Sequence, residues 1–282
     1  MGNLYFLTKR EWGHIMFKNK DMPRMVYFCG IFISIFAVLV IIIVRSSMSV
    51  GVSSDIDSDL QEIIKNVEMR QQNLLDCVQD ATFMAKTIYR ETDKDGNVKK
   101  DVVIERRIYM KSHDKRHEDY LSMIVNGKQL DKKEIKKESK DWQKKSRMSQ
   151  TKMPLSKETK NDYEFKLIGN SIIGNMPIWL VEFTAKKKED GYINGKAYVL
   201  KDKYDITRVD FTPAKIPSTL KSMAMSVIYS EVQGYWLPAK FEMNMDVDVK
   251  FVLNIYHRHV KVEDTYSQYK LNCGLLDSLF DG

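Results

Sequence analysis

The chain has 282 residues, of which 43% are hydrophobic, 11% aromatic and 29% charged, with a mean hydropathy of -0.39. This composition is typical of a folded protein and argues against an intrinsically disordered, collagen-like or polytopic membrane protein. The formal net charge of +7 first suggests a nucleic-acid or membrane-surface partner. However, the first 45 residues alone carry a net charge of +4, and the other 237 carry only +3. We therefore predict no nucleic-acid partner.

The first predicted element is the apolar segment Val26–Val44, which contains no charged residue. As a helix it would extend about 28 Å, close to the thickness of a bilayer's hydrocarbon core. Five basic residues precede it, which places the N-terminus in the cytoplasm and the rest of the chain across the membrane. A secretory signal has the same pattern, with Ser47-Met48-Ser49 as a cleavage sequence, so a retained anchor and a cleaved signal both stay open.

These features predict four segments. Residues 1–25 are a basic N-terminal segment, 26–44 are the signal region or single transmembrane anchor, 45–54 are a joint, and 55–282 are one domain. Either fate of the apolar segment leaves that domain outside the cytoplasm.

The domain begins with an amphipathic helix, because apolar residues recur every three or four positions from Ile56 to Val78. From Ala81 onward the apolar period changes to two, and Asp95-Gly96-Asn97 predicts a hairpin turn. Further turns are predicted at Asn126-Gly127, Gly174-Asn175, Asn194-Gly195 and Gln233-Gly234. A charged segment, Asp131–Lys145, predicts a short exposed helix. Together these signals predict an α+β fold of mainly antiparallel β-strands.

Two later segments, Thr219–Glu231 and Phe241–Ile255, alternate between apolar and polar residues and predict long strands of a broad, curved sheet. Their apolar faces could simply form a core. Four methionines on these faces favour a second interpretation, because methionine adapts to varied apolar shapes and suits a cavity for acyl chains. The predicted cavity lining is Met223, Met225, Val227, Tyr229, Phe241, Met243, Met245 and Val247.

The domain also resembles a known family, the LolA-like outer-membrane lipoprotein-sorting proteins. The resemblance is carried by Ala81–Lys111, Gly195–Lys215, Ser230–Phe241 and Tyr266–Asn272, and it covers about residues 55–282. It implies a curved, incomplete antiparallel β-barrel lidded by helices, with an apolar cavity that accepts lipid moieties in the periplasm. An inner-membrane exporter and an outer-membrane acceptor are implied as partners, and Gly234–Pro238 is implied to be a structural turn at the start of a strand.

No motif in the sequence predicts catalysis or a cofactor, since nucleophile-elbow and phosphate-loop patterns are missing. His257 and His259 share a strand face, but no third ligand is suggested, so we predict no metal site. Asp246 and Asp248 are interpreted as solubilising carboxylates. Cys77 and Cys273 could form a disulfide, although two isolated core residues are the preferred interpretation.

The predicted function is non-enzymatic binding and trafficking of lipid or lipoprotein acyl chains in the bacterial cell envelope. The domain would be either soluble in the periplasm after signal cleavage or anchored in the inner membrane. The alternative is an envelope sensor or interaction module that binds lipid or mislocalised lipoprotein together with a membrane regulatory partner.

Overall fold

The structure is a computed structural model that describes residues 55–112, 115–146, 151–217, 220–251 and 254–281. The apolar segment Val26–Val44 and the three predicted boundaries before residue 55 lie outside this range and stay predictions. Within the described residues, no helix combines the length and apolarity that a membrane crossing requires.

The predicted amphipathic helix is confirmed as α1 (Asp55–Cys77). Leu60, Ile63, Ile64 and Val67 on its apolar stripe are buried in the main hydrophobic core. A second helix, α2 (Lys132–Ser146), occupies the charged segment. It is not exposed all round as predicted, because Ile135 and Trp142 are also part of the core. Two buried side chains on the same face, two helical turns apart, are enough to dock a helix whose other positions are charged or polar.

In the part of the chain that the structure describes, eleven strands follow α1, and all pair antiparallel. They are β1 (Asp80–Thr92), β2 (Val98–Lys111), β3 (Lys115–Val125), β4 (Lys128–Gln129), β5 (Tyr163–Ile173), β6 (Met176–Ala185), β7 (Ile193–Leu200), β8 (Ile206–Pro213), β9 (Leu220–Val232), β10 (Tyr235–Phe251) and β11 (Asn254–Leu271). Short 3₁₀ helices lie at Lys160–Asp162 and Asp277–Leu279.

The strands form one open, curved sheet in the order β4-β3-β2-β1-β11-β10-β9-β8-β7-β6-β5. Nearly every strand pairs with its neighbour in the chain, as in a meander. The exception is the pairing of β1 with β11, which joins the beginning and the end of the described sheet. The helices cover the face that we call the inner face, where α1, α2 and the strands share one core. The mainly antiparallel fold predicted from the sequence is therefore present.

Two sequence predictions about strand limits are wrong. Asn194-Gly195 is not a turn but lies inside β7, paired with β6 and β8. The segment Phe241–Ile255 is not one strand, because β10 ends at Phe251, β11 begins at Asn254, and these two residues pair with each other. The alternation continues across this reversal without a glycine or proline, so the pattern gave no turn signal.

Candidate functional site

An apolar cavity of about 220 Å³ lies at one end of the sheet, between the C-terminal half of α1 and the inner face. Its wall is dominated by seven aromatic side chains, together with Leu74, Leu75, Val78 and other apolar residues. The aromatic residues are Phe83, Tyr204, Tyr229, Tyr235, Trp236, Tyr266 and Tyr269. Pockets that enclose a drug-sized ligand have volumes of about 300–1,000 Å³. The cavity as it stands therefore has room for one segment of an apolar chain or for a small ring.

A bulge in β10 brings the start of that strand into the cavity. The pairing with β9 shifts between Pro238 and Lys240, so Pro238 lies opposite Tyr229 while Phe241 lies opposite Val227. A one-residue shift turns side chains to the other face of a strand. Trp236 and Pro238 consequently line the cavity. Strict alternation of side chains, extended back from Phe241, would place both residues on the opposite face of the strand.

A second irregularity lies beside the first, in β11. Its pairing with β1 shifts between Thr82 and Met84, and Gln268 has a positive φ of 56°. This shift brings Tyr269 into the cavity wall, where its ring stacks on Phe83 with centroids 4.8 Å apart. The Tyr269 hydroxyl donates a hydrogen bond of 2.6 Å to the Pro238 carbonyl, which ties the two irregular segments together. The cavity thus lies where two adjacent strands leave regular pairing.

The charged side chains in the cavity wall all have partners. Arg70 on α1 makes a bidentate ion pair with Asp205, with N–O distances of 3.0 and 2.9 Å. Lys111 donates to the Leu275 carbonyl at 2.7 Å, and Arg116 donates to Glu118 at 2.6 Å. Because these charges are satisfied within the protein, the wall offers a ligand an apolar and aromatic environment.

Asp80, the remaining charged wall residue, holds the C-terminal segment against β1. It accepts hydrogen bonds from the backbone N–H groups of Cys273, Gly274 and Leu275 at 2.6, 3.0 and 3.0 Å. Burial raises the pKa of Asp80, but the hydrogen bonds from Cys273, Leu275 and Gly274 outweigh burial and hold the pKa below its ordinary value. The ionised carboxylate is therefore the form that the folded protein stabilises.

We expect Asp80→Asn to lower the free energy of unfolding by about 1–3 kcal/mol at neutral pH. The substitution replaces one acceptor oxygen with an NH₂ group, which cannot accept a hydrogen bond from the backbone N–H groups that face it. The folded-state pKa is depressed, so the wild-type contribution is present above about pH 4 and is lost as the pH falls through the folded pKa. Urea unfolding at pH 7 and pH 3 measures the difference between the variants. Asp76→Asn, at an exposed position, is the control. If the difference in the free energy of unfolding between Asp80→Asn and wild type were larger at pH 3 than at pH 7, the expectation would be contradicted.

A buried ionic cluster lies behind the cavity. Arg106, which is 1% exposed, contacts Glu118 at 3.2 Å and Asp264 at 3.6 Å, and Asp264 is fully buried. Asp264 also accepts hydrogen bonds from Thr87 and, at 3.2 Å, from the cavity residue Tyr266. Burial raises the pKa of Glu118, but Arg106 and Arg116 outweigh it and lower that pKa to about 2. Burial dominates at Asp264 and raises its pKa despite Arg106.

The eight residues predicted to line the cavity all face the interior. Tyr229 is in the cavity wall, whereas the other seven are buried in the main core. The four methionines form a patch on two strands, since Met225 pairs with Met243 and Met223 pairs with Met245. The predicted lining role of this set stays a prediction. The sequence interpretation missed Trp236 and Tyr269, and the only signal for them was the density of aromatic residues around Gly234 and at the end of the chain.

The other chemistry-bearing residues lie outside the cavity. His257 contacts Asp248 at 2.5 Å and His259 contacts Asp246 at 2.9 Å, so each imidazole is paired with a carboxylate across β10 and β11. In the part of the chain that is described, no three or more His, Cys, Asp or Glu residues are placed to hold a metal ion.

Both cysteines of the domain are exposed free thiols. The preferred interpretation of Cys77 and Cys273 as core residues is therefore wrong. Cys77 is the last residue of α1, and Cys273 lies two residues after the end of β11, where exposure depends on how the ends of the elements pack.

The fold and cavity define a class of protein, an open antiparallel sheet whose helix-covered face holds an apolar site. The chain belongs to a family of unknown function, DUF5686, which matches residues 65–266. No curated protein matches the chain.

Solved structures that the chain resembles include three of low identity. A DUF1329 family protein from Desulfovibrio piger is 12% identical, with 78% of this chain and 96% of that chain covered and a TM-score of 0.41. A putative outer membrane lipoprotein-sorting protein domain from Vibrio parahaemolyticus is 15% identical, with 78% and 95% of the two chains covered and a TM-score of 0.39. A LolA superfamily protein from Nitrosomonas europaea is 13% identical, with 79% and 97% covered and a TM-score of 0.33. The last two are lipoprotein-sorting or LolA proteins, the group that the sequence resembles.

Proposed function

We propose that this protein is a non-enzymatic binding protein of the cell envelope that shelters a lipid or lipoprotein acyl chain in its cavity. The observation that carries the proposal is the cavity wall, which is apolar and aromatic and in which the charged side chains are already paired. An acyl chain gains about 0.8 kcal/mol for each methylene removed from water, so such a wall retains it without a charged contact.

A longer chain needs more room than about 220 Å³. Helix α1 is the element whose displacement would provide it, because α1 forms one side of the cavity and covers the core. Its polar side is held by the Arg70–Asp205 and Lys160–Glu68 ion pairs and by a 3.2 Å hydrogen bond from Tyr204 to Glu62. These few polar contacts would have to break when α1 moves. In the open form, the methionine patch at Met223, Met225, Met243 and Met245 would become cavity lining.

Filling the cavity tests this proposal. Ala81 lies in the cavity wall, and we expect Ala81→Phe to weaken binding of a fluorescent fatty-acyl probe by about tenfold or more, since the ring occupies the space of several methylenes. Titration of the full chain, kept soluble in an amphipathic polymer, gives the affinity. Ala224→Phe on the exposed face of β9 is the matched control. Absence of probe binding by the wild type, or equal binding by both variants, would refute an acyl-binding cavity.

The same proposal includes a place and partners. We propose that residues 55–282 lie in the periplasm, with an inner-membrane exporter delivering the ligand and an outer-membrane acceptor receiving it. If Val26–Val44 is retained, the domain cannot shuttle freely, and a module that senses lipid or mislocalised lipoprotein for a membrane regulator becomes the better proposal. N-terminal sequencing of the protein recovered from membranes decides between the two.

A further inference from the structure

We infer that the cavity recognises an uncharged acyl compound through a secondary amide, with Gln71 and Trp236 as the recognising residues. This inference rests on the proposed function, because it concerns the same cavity. It adds the chemical class of the group that joins the acyl chain to the rest of the ligand.

Two residues that line the cavity each carry a buried side-chain polar atom that lacks a hydrogen-bond partner within the protein. These atoms are the side-chain carbonyl oxygen of Gln71, on α1, and the indole N–H of Trp236, at the start of β10. Buried polar atoms in folded proteins are nearly always paired, so each exception requires an explanation. Here both exceptions belong to residues that border one cavity, and they come from the helix and from the sheet.

The two atoms have complementary roles. The indole N–H can only donate, and the carbonyl oxygen of Gln71 can only accept. A ligand that satisfies both must present an acceptor and a donor, as a secondary amide does with its C=O and N–H. An ester offers only the acceptor, and an ionised carboxylate offers only acceptors.

Charge on the ligand is disfavoured for a separate reason. Arg70, Lys111 and Arg116 already have partners, so a carboxylate in the cavity would be buried without a free cation in the wall. An amide carries both hydrogen-bonding functions without a charge. The buried part of the ligand is therefore an acyl chain joined through an amide.

Three probes of equal chain length test this inference, namely N-methyldecanamide, methyl decanoate and decanoate. We expect the amide to bind about five- to tenfold more tightly than the ester, the effect of one added hydrogen bond, and decanoate to bind most weakly. The full chain labelled with ¹⁵N-tryptophan has four indole signals, and loss of one in Trp236→Phe assigns that of Trp236. This signal should move when the amide or the ester binds.

Variants separate the two hydrogen bonds. Gln71→Leu should bring the ratio of amide to ester affinity close to one, whereas Trp236→Phe should weaken both affinities by a similar factor and keep the ratio. Gln72→Leu, one position along α1, is the matched control and should keep the preference. The remaining indole signals report whether each variant is folded. Equal affinity for all three probes would overturn the amide inference but leave the acyl-binding function standing, while failure of the wild type to bind any probe would refute the proposed function itself.

Discussion

Replacement of Arg106 by methionine is expected to lower the free energy of unfolding by about 3–5 kcal/mol, because it leaves buried carboxylates without their cation. Methionine keeps much of the side-chain length, so the main loss is the charge. Glu118 would keep Arg116 as a partner at 2.6 Å, but Asp264 would keep only the hydroxyl groups of Thr87 and Tyr266. Chemical denaturation at neutral pH measures the loss.

The exposed Arg90 provides the matched control. It forms an ion pair with Asp101 at 3.0 Å, but its side chain is 55% exposed, and exposed pairs contribute about 0–1 kcal/mol. Arg90→Met should therefore be nearly neutral. An Arg106→Met variant as stable as Arg90→Met would show that the buried cluster does not require its positive charge.

The pH dependence of the Arg106 variant follows from the same charges. In the wild type the folded pKa of Glu118 is depressed to about 2, so its contribution is complete above the unfolded pKa and is lost as the pH falls toward 2. In Arg106→Met, the loss of the cation raises the folded pKa of both carboxylates. As the pH falls they become protonated and uncharged, which removes the cost of burying unpaired charges. The stability difference should therefore narrow in acid. A second variant, Arg106→Met with Asp264→Asn, should recover part of the loss at neutral pH, because it removes the least compensated carboxylate.

Replacement of Gly195 by alanine is expected to cost about 3 kcal/mol, at the upper end of the range for overpacking. A Cβ at this position would lie 2.0 Å from the Asp210 carbonyl oxygen, 2.8 Å from the Phe211 Cα and 2.9 Å from the Phe183 Cζ. The nearest two atoms are backbone atoms of β8, so the strands themselves must separate. Replacement of Phe183 by a smaller residue should therefore not restore the stability of Gly195→Ala.

The sign of the Gly195 effect is informative. Where nothing crowds the Cβ, alanine in a strand interior is better than glycine by about 0.5–1 kcal/mol. A stabilised Gly195→Ala variant would therefore show that β7 and β8 are not as close as described. The exposed Lys196, on the other face of β7, is the control, and Lys196→Ala should change stability by less than about 0.5 kcal/mol.

The two variants probe different parts of the proposed function. The Arg106 cluster touches the cavity through Tyr266 and Arg116, so a change there should alter acyl binding as well as stability. Gly195 lies in β7, which contributes no residue to the cavity wall. Folded Gly195→Ala protein should accordingly keep its affinity for the probe.

Local patterns in the sequence predicted much of the fold. The three- and four-residue spacing from Ile56 to Val78 predicted α1, since helical periodicity is a property of consecutive residues. Turns at Asn126-Gly127 and Gln233-Gly234 were predicted because their residues tolerate the positive φ found there, between 50° and 84°. Arg106 occupies an apolar position of an alternating strand, between Ile104 and Ile108, which is a local sign of its burial.

Tertiary structure alone decided where the candidate site lies. The bulges in β10 and β11 depend on pairing with strands β9 and β1, and they turn Trp236 and Tyr269 into the cavity against the local alternation. Gly195 looked like a turn residue because sequence cannot distinguish a glycine that needs conformational freedom from one that admits a neighbouring backbone. The overall net charge and the apolar segment Val26–Val44 were properties of the sequence by itself, because charge and hydropathy are sums over residues. Which buried polar atoms remain without a partner, and which charges find one, depends on contacts between segments far apart in the chain.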